Sequence, residues 1–270
     1  MRISIVHSTT YRYAGEVMHS AQYLRLTPAS NPSQQVHSWR IDAPGQLTPW
    51  RDAFGNQCHT LVVERPGREI AITASGRVDT TDVNGVLPND DGAPPIEVFL
   101  RPTDLTLVDA RVRDFAHGFD RPLAHSRLDG LHAMMGGIRE HVDYRLGATD
   151  VFSTASAVLQ AGVGVCQDHA HVFIACCRAL GVPARYVGGY LFDGEQDEPH
   201  TAGHAWAAAW VDSLGWVSFD VANTVSGTER HVGVAIGLDY AGAAPVRGVR
   251  TSAPGAEELE VAVRVSAAQQ

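Results

Sequence analysis

The sequence predicts an α+β protein in two parts: a β-sandwich, then a core in which helices precede and pack on an antiparallel sheet. Three observations carry that reading. Residues 1–79 fall into short alternating runs separated by turn signals, the pattern of a sandwich. Thr80 to Pro95 is rich in Asp, Asn, Gly and Pro, which is linker or long-loop composition. Beyond it the apolar period is first helical and then, from Ala184, alternating. The division is therefore 1–85 for the sandwich and 96–270 for the core, with the C-terminal strands assigned to the core.

The chain opens with Ile3, Ile5, His7, Thr9, Tyr11 and Tyr13 on one face of a strand and Arg2, Ser4, Ser8 and Arg12 on the other. Further strands are expected at 21–26, 34–41, 57–64 and 69–78, between turns at Asn31-Pro32, Ala43-Pro44-Gly45 and Phe54-Gly55-Asn56. His7, His37, His59 and Cys58 are scattered here and read as structural or surface residues, so this half is an accessory module beside the cleft. A first helix follows on Leu105, Val108, Val112, Phe115 and Phe119, behind Thr103 and Asp104. A second runs through Leu128, Leu131, Met135, Ile138 and Val142, despite Gly136-Gly137, where each glycine costs roughly 1 kcal/mol against alanine. A short helix from Thr154 to Gln160 leads into a glycine turn, Gly162-Val163-Gly164.

That turn delivers Cys166 to the start of a helix with apolar residues at Ala170, Phe173, Ile174, Cys177 and Leu180, stopped by Gly181 and Pro183. Gln167, Asp168, His169 and His171 crowd its first turn, so the helix is expected to show its N-terminus to a cleft. The dipole and free N–H groups of a helix start favour thiolate over thiol. Strands are then expected at Ala184–Phe192, His204–Val211, Trp216–Asp220, 230–239 and 257–266, with an acidic surface loop at 193–199.

Composition bounds the function. In 270 residues, 44% are apolar, 19% are charged and the net charge is −9, with no dense Lys/Arg cluster; neither nucleic acid nor an anionic membrane is an expected partner. The N-terminus alternates like a strand rather than a signal peptide, and no apolar run approaches bilayer length. Four cysteines, two of them adjacent, do not form a disulfide framework, and a reducing cytoplasm is the expected compartment.

A thiolate nucleophile needs a base, and the base needs an orienting group. Cys166, His204 and Asp220 supply them in order. The hairpin between 211 and 215 tests this. A three-residue loop at 212–214 pairs Val211 with Gly215 and sets Asp220 opposite Trp206, one diagonal step from His204 on the same face. A two-residue loop would put the pair on opposite faces. The backbone N–H of Cys166 is a natural oxyanion donor, and Tyr144 and Gln160 are candidates for a second. Gln167, Trp206 and Tyr144 are the candidates for substrate contact, although a core-filling role for Trp206 is the commoner one for such a residue.

Gly164-Val165-Cys166-Gln167-Asp168-His169-Ala170-His171, Cys177-Arg178-Ala179-Leu180-Gly181-Val182-Pro183-Ala184-Arg185-Tyr186-Val187, Gly203-His204-Ala205-Trp206 and Gly215-Trp216-Val217-Ser218-Phe219-Asp220 together resemble the bacterial transglutaminase-like superfamily, in its cysteine-peptidase branch. The opening His7-Ser8-Thr9-Thr10-Tyr11-Arg12-Tyr13, the segment Arg51-Asp52-Ala53-Phe54-Gly55-Asn56, and Gly237-Leu238-Asp239-Tyr240 with Pro245-Val246-Arg247-Gly248 resemble the same two-part family. The resemblance implies a papain-like, transglutaminase-like core behind an N-terminal β-sandwich, with a Cys-His-Asp triad on Cys166, His204 and Asp220. The chain departs from the family pattern at Ala208, where an acidic residue is usual, at Val221-Ala222 in place of Pro-Thr, and at His169 in place of phenylalanine.

The expected activity is cleavage of a peptide or amide bond through a thioester, with no cofactor and no metal, on a peptide or protein substrate. Acyl transfer to an amine and a catalytically inactive binding module are the alternatives, and the oligomeric state is left open. A metal cluster of Cys166, His169, His171, Cys176 and Cys177 is disfavoured by spacing, since helical ligands should lie three or four apart.

Overall fold

The computed structural model describes residues 1–87, 94–194, 202–252 and 255–267. Residues 88–93 of the expected linker and 195–199 of the expected acidic loop lie outside them. No helix among the described residues is long and apolar enough to cross a membrane.

The first sheet is organised by two unusually long strands. β1 (Arg2–Thr27) runs antiparallel to β4 (Gln57–Thr80), with β2 (Gln34–Asp42) on the later half of β4 and β3 (Gln46–Arg51) on its earlier half. The sequence reads each long strand as two, the opening run to Tyr13 with 21–26 and 57–64 with 69–78. Instead the chain bends without leaving the ladder. Arg65 and Gly67 take positive φ, and the β1–β4 register shifts on either side of Val17. Burial parity flips there: Ile3, Ile5, His7, Thr9 and Tyr13 are buried before the bend, and Ser20, Gln22, Leu24 and Leu26 after it. The two halves contribute Leu24, Leu26, Leu61, Val63, Ile70 and Ile72 to a shared apolar core, within what is one continuous six-stranded sheet.

β5 (Val86–Leu87), inside the expected linker, already belongs to the second sheet. Helices follow: α1 (Ala110–His117), α2 (Asp120–His125) and α3 (Arg127–His141). The expected first helix starts late, because Asp104–Thr106 forms a separate 3₁₀ turn and the Asp109 carboxylate caps α1 by accepting from the Val112 N–H at 3.0 Å. Gly137 in α3 is explained by close packing, since a Cβ there would come within 2.6 Å of the Phe119 ring. β6 (Asp143–Tyr144), α4 (Ala155–Ala161), β7 (Val163–Gly164) and α5 (Cys166–Ala179) lead to β8 (Ala184–Leu191), β9 (His204–Val211), β10 (Gly215–Phe219) and β11 (His231–Gly237). The second sheet has the antiparallel order β11-β8-β9-β10-β5, with α5 packed on β8 and β9.

After α6 (Tyr240–Ala243), the last strands return to the first sheet. β12 (Val246–Ser252) pairs with the second half of β1, and β13 (Glu257–Ala267) with its first half. The sequence division assigned them to the core; their hydrogen bonds place them with residues 2–27. The two halves are joined by an apolar cluster of Ile3, Ile5, Val78 and Val263 against Tyr190, Phe192 and Val232. Two buried side-chain amides seal the edge strand β11. Gln34 donates to the Gly233 carbonyl at 2.8 Å and accepts from its N–H at 2.9 Å, and Asn56 does the same for Ile236 at 2.8 Å each.

Candidate active site

Cys166 is the first residue of α5, and what precedes it fixes its position. Asp168 Oδ2 accepts from the Val165 N–H at 2.8 Å and from the Thr149 hydroxyl at 2.6 Å, locking the helix start. Gly164 makes this possible, because a Cβ there would sit 2.7 Å from the Asp168 side chain. The far end of the helix is pinned by Arg178, buried and donating to the carbonyls of Phe99, Ala184 and Leu238 and to the Thr106 hydroxyl. A fixed helix gives a fixed sulfur. Of the four cysteines only Cys166 is partly exposed. Burial pushes the thiols of Cys58 and Cys176 up to about 11 and about 12, and that of Cys177 up as well.

The β9–β10 hairpin has the three-residue connection: Val211 pairs with Gly215 and Phe219 with Ala207. The next residue, Asp220, leaves the ladder to bridge with Val225, and its carboxylate meets His204, Nε2 to Oδ2, at 2.7 Å. Cys166 lies close enough to His204 to raise its proton affinity alongside Asp220. Burial opposes a charge on His204, but the bonds to Asp220 and Cys166 outweigh it and push the imidazole up to about 10. Asp220, 0% exposed, is disfavoured as an anion by burial, yet its donors hold the carboxyl well below the usual range.

Those donors include two residues that sequence reasoning missed. Asn223 Nδ2 donates to Oδ2 at 2.7 Å and the Asn223 N–H to Oδ1 at 3.3 Å, a turn in which Thr224 takes positive φ. His231, at the start of β11, donates from Nε2 to Oδ2 at 3.1 Å. Its Nδ1 accepts the Thr228 N–H at 3.1 Å, which leaves the ring proton on Nε2. An Asx turn after Asp220 was available in the sequence as a signal; His231 had none, being one histidine of 13. His204, Asp220 and His231 are also the one convergent set of three possible metal donors among the described residues, and their facing atoms bond one another.

The remaining expected residues separate. Gln167 lines the cleft beside Cys166. Tyr144 is held near Cys166 by the short parallel pairing of β6 with β7; its phenol is pushed up to about 12 by burial and by the charges of Cys166, Asp220 and Asp168. Gln160, the other oxyanion candidate, is exposed on α4 and accepts from Arg111 at 3.4 Å. Trp206 is buried among Phe99, Val187 and Trp216 while its ring stacks at 6.0 Å on His204 and meets His231 edge-on at 5.2 Å, so it both fills core and shields the pair. His169 and His171 line no cleft. Both are 0% exposed: His169 faces the carbonyls of Val165 and Val142 at 2.8 and 2.9 Å, and His171 accepts the Tyr240 N–H at 3.0 Å. Polar residues at a helix start went inward because backbone groups of neighbouring segments were there to pair with them.

Comparison with known proteins agrees with this architecture. Residues 113–221 match the transglutaminase-like superfamily, and residues 3–79 match the bacterial transglutaminase-like N-terminal region. An uncharacterized protein of Mycobacterium leprae, ML0607, is 32% identical, with 98% of each chain covered. Rv2569c, an uncharacterized protein of Mycobacterium tuberculosis, is also 32% identical, covering 92% of this chain and 87% of its own. The fold is that of the crystal structure of a "putative cysteine protease" from Cytophaga hutchinsonii, at 21% identity, with 98% of each chain covered and a TM-score of 0.73. With both halves matched and a relative 32% identical over 98% of each chain, the chain belongs to the transglutaminase-like superfamily.

Proposed function

We propose that the protein is a thiol hydrolase that cleaves a peptide or other amide bond through Cys166, His204 and Asp220. The observation that carries this is His204 bonded at 2.7 Å to the buried Asp220 carboxylate and close enough to Cys166 for both to raise its proton affinity. Cys166 attacks the acyl carbon as a thiolate, and the electron pair of the carbonyl moves to oxygen. The Cys166 N–H, which has no intrahelical acceptor at the helix start, faces that oxyanion. As the tetrahedral species collapses, the C–N bond breaks, His204 gives its proton to the leaving nitrogen and a thioester remains on Cys166. His204, now neutral, takes a proton from water; the hydroxide adds to the thioester, the C–S bond breaks and the thiolate–imidazolium pair is restored. Asp220 holds the ring in register throughout and stays ionised. An amine in place of that water would give acyl transfer instead.

Acid-quenching the protein during turnover of a peptide library and weighing the peptide that carries Cys166 tests the reading. A mass increase equal to an acyl group is expected on Cys166, lost in Cys166→Ala and in His204→Ala. Products ending in free carboxylate mark hydrolysis, and products carrying an added amine mark transfer. Cleavage by Cys166→Ala at the wild-type rate would remove the thiol from the mechanism.

A further inference from the structure

The cleft beside the nucleophile is shared between the two halves of the molecule. It encloses about 270 Å³ and runs from Cys166 and His204 to Thr9 and Tyr11 on β1 and to Leu259 and Val261 on β13. We propose that this cleft is a specificity pocket for a bulky apolar or aromatic side chain of the substrate, seated next to the carbonyl that Cys166 attacks. The proposal rests on Cys166 being the nucleophile, and it gives the N-terminal sheet a role in choosing the substrate.

The catalytic half supplies a gap. Tyr186, Gly188 and Tyr190 alternate along β8, and the middle position of this wall has no side chain. A Cβ at Gly188 would meet the Tyr186 ring at 3.7 Å and the Ala243 and Ala235 carbonyls at 3.8 and 4.0 Å, ordinary contacts, so the neighbouring backbone does not demand a glycine there. Tyr11 and Val261 also line the cleft, with Val151 and Leu259, which are 43% and 54% exposed. Large apolar side chains left in solvent beside a cleft are characteristic of a surface that binds.

Several polar groups of the lining are already paired. His7 Nδ1 pairs with the Tyr190 hydroxyl at 2.9 Å and His7 Nε2 with the Thr9 hydroxyl at 3.2 Å, and burial keeps this imidazole neutral by pushing it down to about 4. Arg25 is held by Asp52 at 3.0 Å. Among the described lining residues there is no carboxylate. A lysine or arginine side chain of a substrate would lose its water without gaining a counter-charge, and an acidic one would compete with Asp52 for Arg25. An apolar group gains from the same transfer.

Covalent labelling of the full-length protein tests the pocket without knowledge of the natural substrate. The probes are peptidyl chloromethyl ketones that share one blocking group and differ only in the side chain next to the ketone: Phe, Leu, Ala, Glu or Lys. The Phe and Leu probes are expected to label Cys166 at least about tenfold faster than the Ala probe, with Glu and Lys slower still. Gly188→Val should bring the Phe rate down to the Ala rate. Gly188→Ala, whose methyl meets only ordinary contacts, should give an intermediate rate and covers the case of a Val variant that does not fold. Iodoacetamide, which has no side chain to seat, reports Cys166 reactivity separately. Equal rates for all five probes, with Cys166 still alkylated by iodoacetamide, would overturn the pocket and leave the nucleophile in place. Failure of every reagent at Cys166 would overturn the nucleophile and the pocket with it.

Discussion

Two pairs of histidines sit in and around the second sheet and its helix α5, and they show that burial alone does not decide what an imidazole can do. His169 and His171 lie on the first turns of α5, next in sequence to the candidate nucleophile, and both are sealed from solvent. Their partners are backbone: carbonyls for His169, and an N–H for His171. His204 and His231 lie at the open end of the second sheet and share one carboxylate, Asp220. Burial, with Arg178 near and Asp239 opposing, pushes His171 down to about 4, whereas hydrogen bonds to Asp220 and Cys166 overcome burial and push His204 up to about 10. A backbone partner makes a histidine a structural strut. The buried Asp220 carboxylate makes His204 a holder of protons.

The comparison breaks first at Asp220, because everything distinctive about the second pair depends on its charge. Asp220→Asn keeps the size of the side chain and removes the anion that receives donors from His204, His231 and Asn223. Turnover of any substrate accepted by the wild type should fall by about 10³–10⁴-fold, corresponding to roughly 4–5.5 kcal/mol of transition-state stabilisation. Steady-state kcat/KM measured beside a folded-state control decides the matter, and wild-type turnover by Asp220→Asn would take the carboxylate out of the reaction.

The same contrast predicts opposite pH slopes of stability. For His204 the folded value lies above the unfolded one of about 6.5, so its contribution is complete below that pH and is lost as pH rises toward 10. For His171 the folded value lies below, so its contribution is complete above about 6.5 and is lost as pH falls toward 4. Each proton is worth about 1.4 kcal/mol per pH unit inside its window. Urea unfolding at pH 5, 6.5 and 9 should show a decline on both sides. His204→Gln should flatten the alkaline decline; His171→Asn should reduce the acid one, with a remainder from His7, which is also pushed down to about 4. An alkaline slope unchanged in His204→Gln would contradict the assignment.

What was legible in the sequence follows the range of the forces involved. The alignment of His204 with Asp220 rests on the parity of a three-residue loop, a local constraint, and the ladder has that register. The helices show in their apolar period, with starts displaced wherever a capping side chain such as Asp109 wins over the pattern. The return of β12 and β13 to β1 was hidden, because pairing between residues more than two hundred positions apart leaves no trace in either segment. The inward turn of His169 and His171 was hidden for a related reason: a polar residue is read as exposed unless its distant partner is known, and Val142 and Tyr240 come from other elements.

His231 is the smallest and sharpest test, since it lies one bond beyond the residues the sequence picked out. The Thr228 N–H fixes its Nδ1 as acceptor, so the ring can only donate to Asp220, and Trp206 packs against its face. It is a positioning residue: it reaches the reaction through the carboxylate. Loss of one hydrogen bond to a charged group is worth about 1.5–3 kcal/mol, so His231→Leu should lower kcat/KM by about 10–100-fold. His231→Gln, whose amide can still donate, should recover part of that loss. With one donor fewer, the Asp220 carboxyl rises toward its ordinary value, and the acid limb of the pH–rate profile should move to higher pH in His231→Leu. A residue that merely supported the strand would lower the melting temperature and leave that limb where it is.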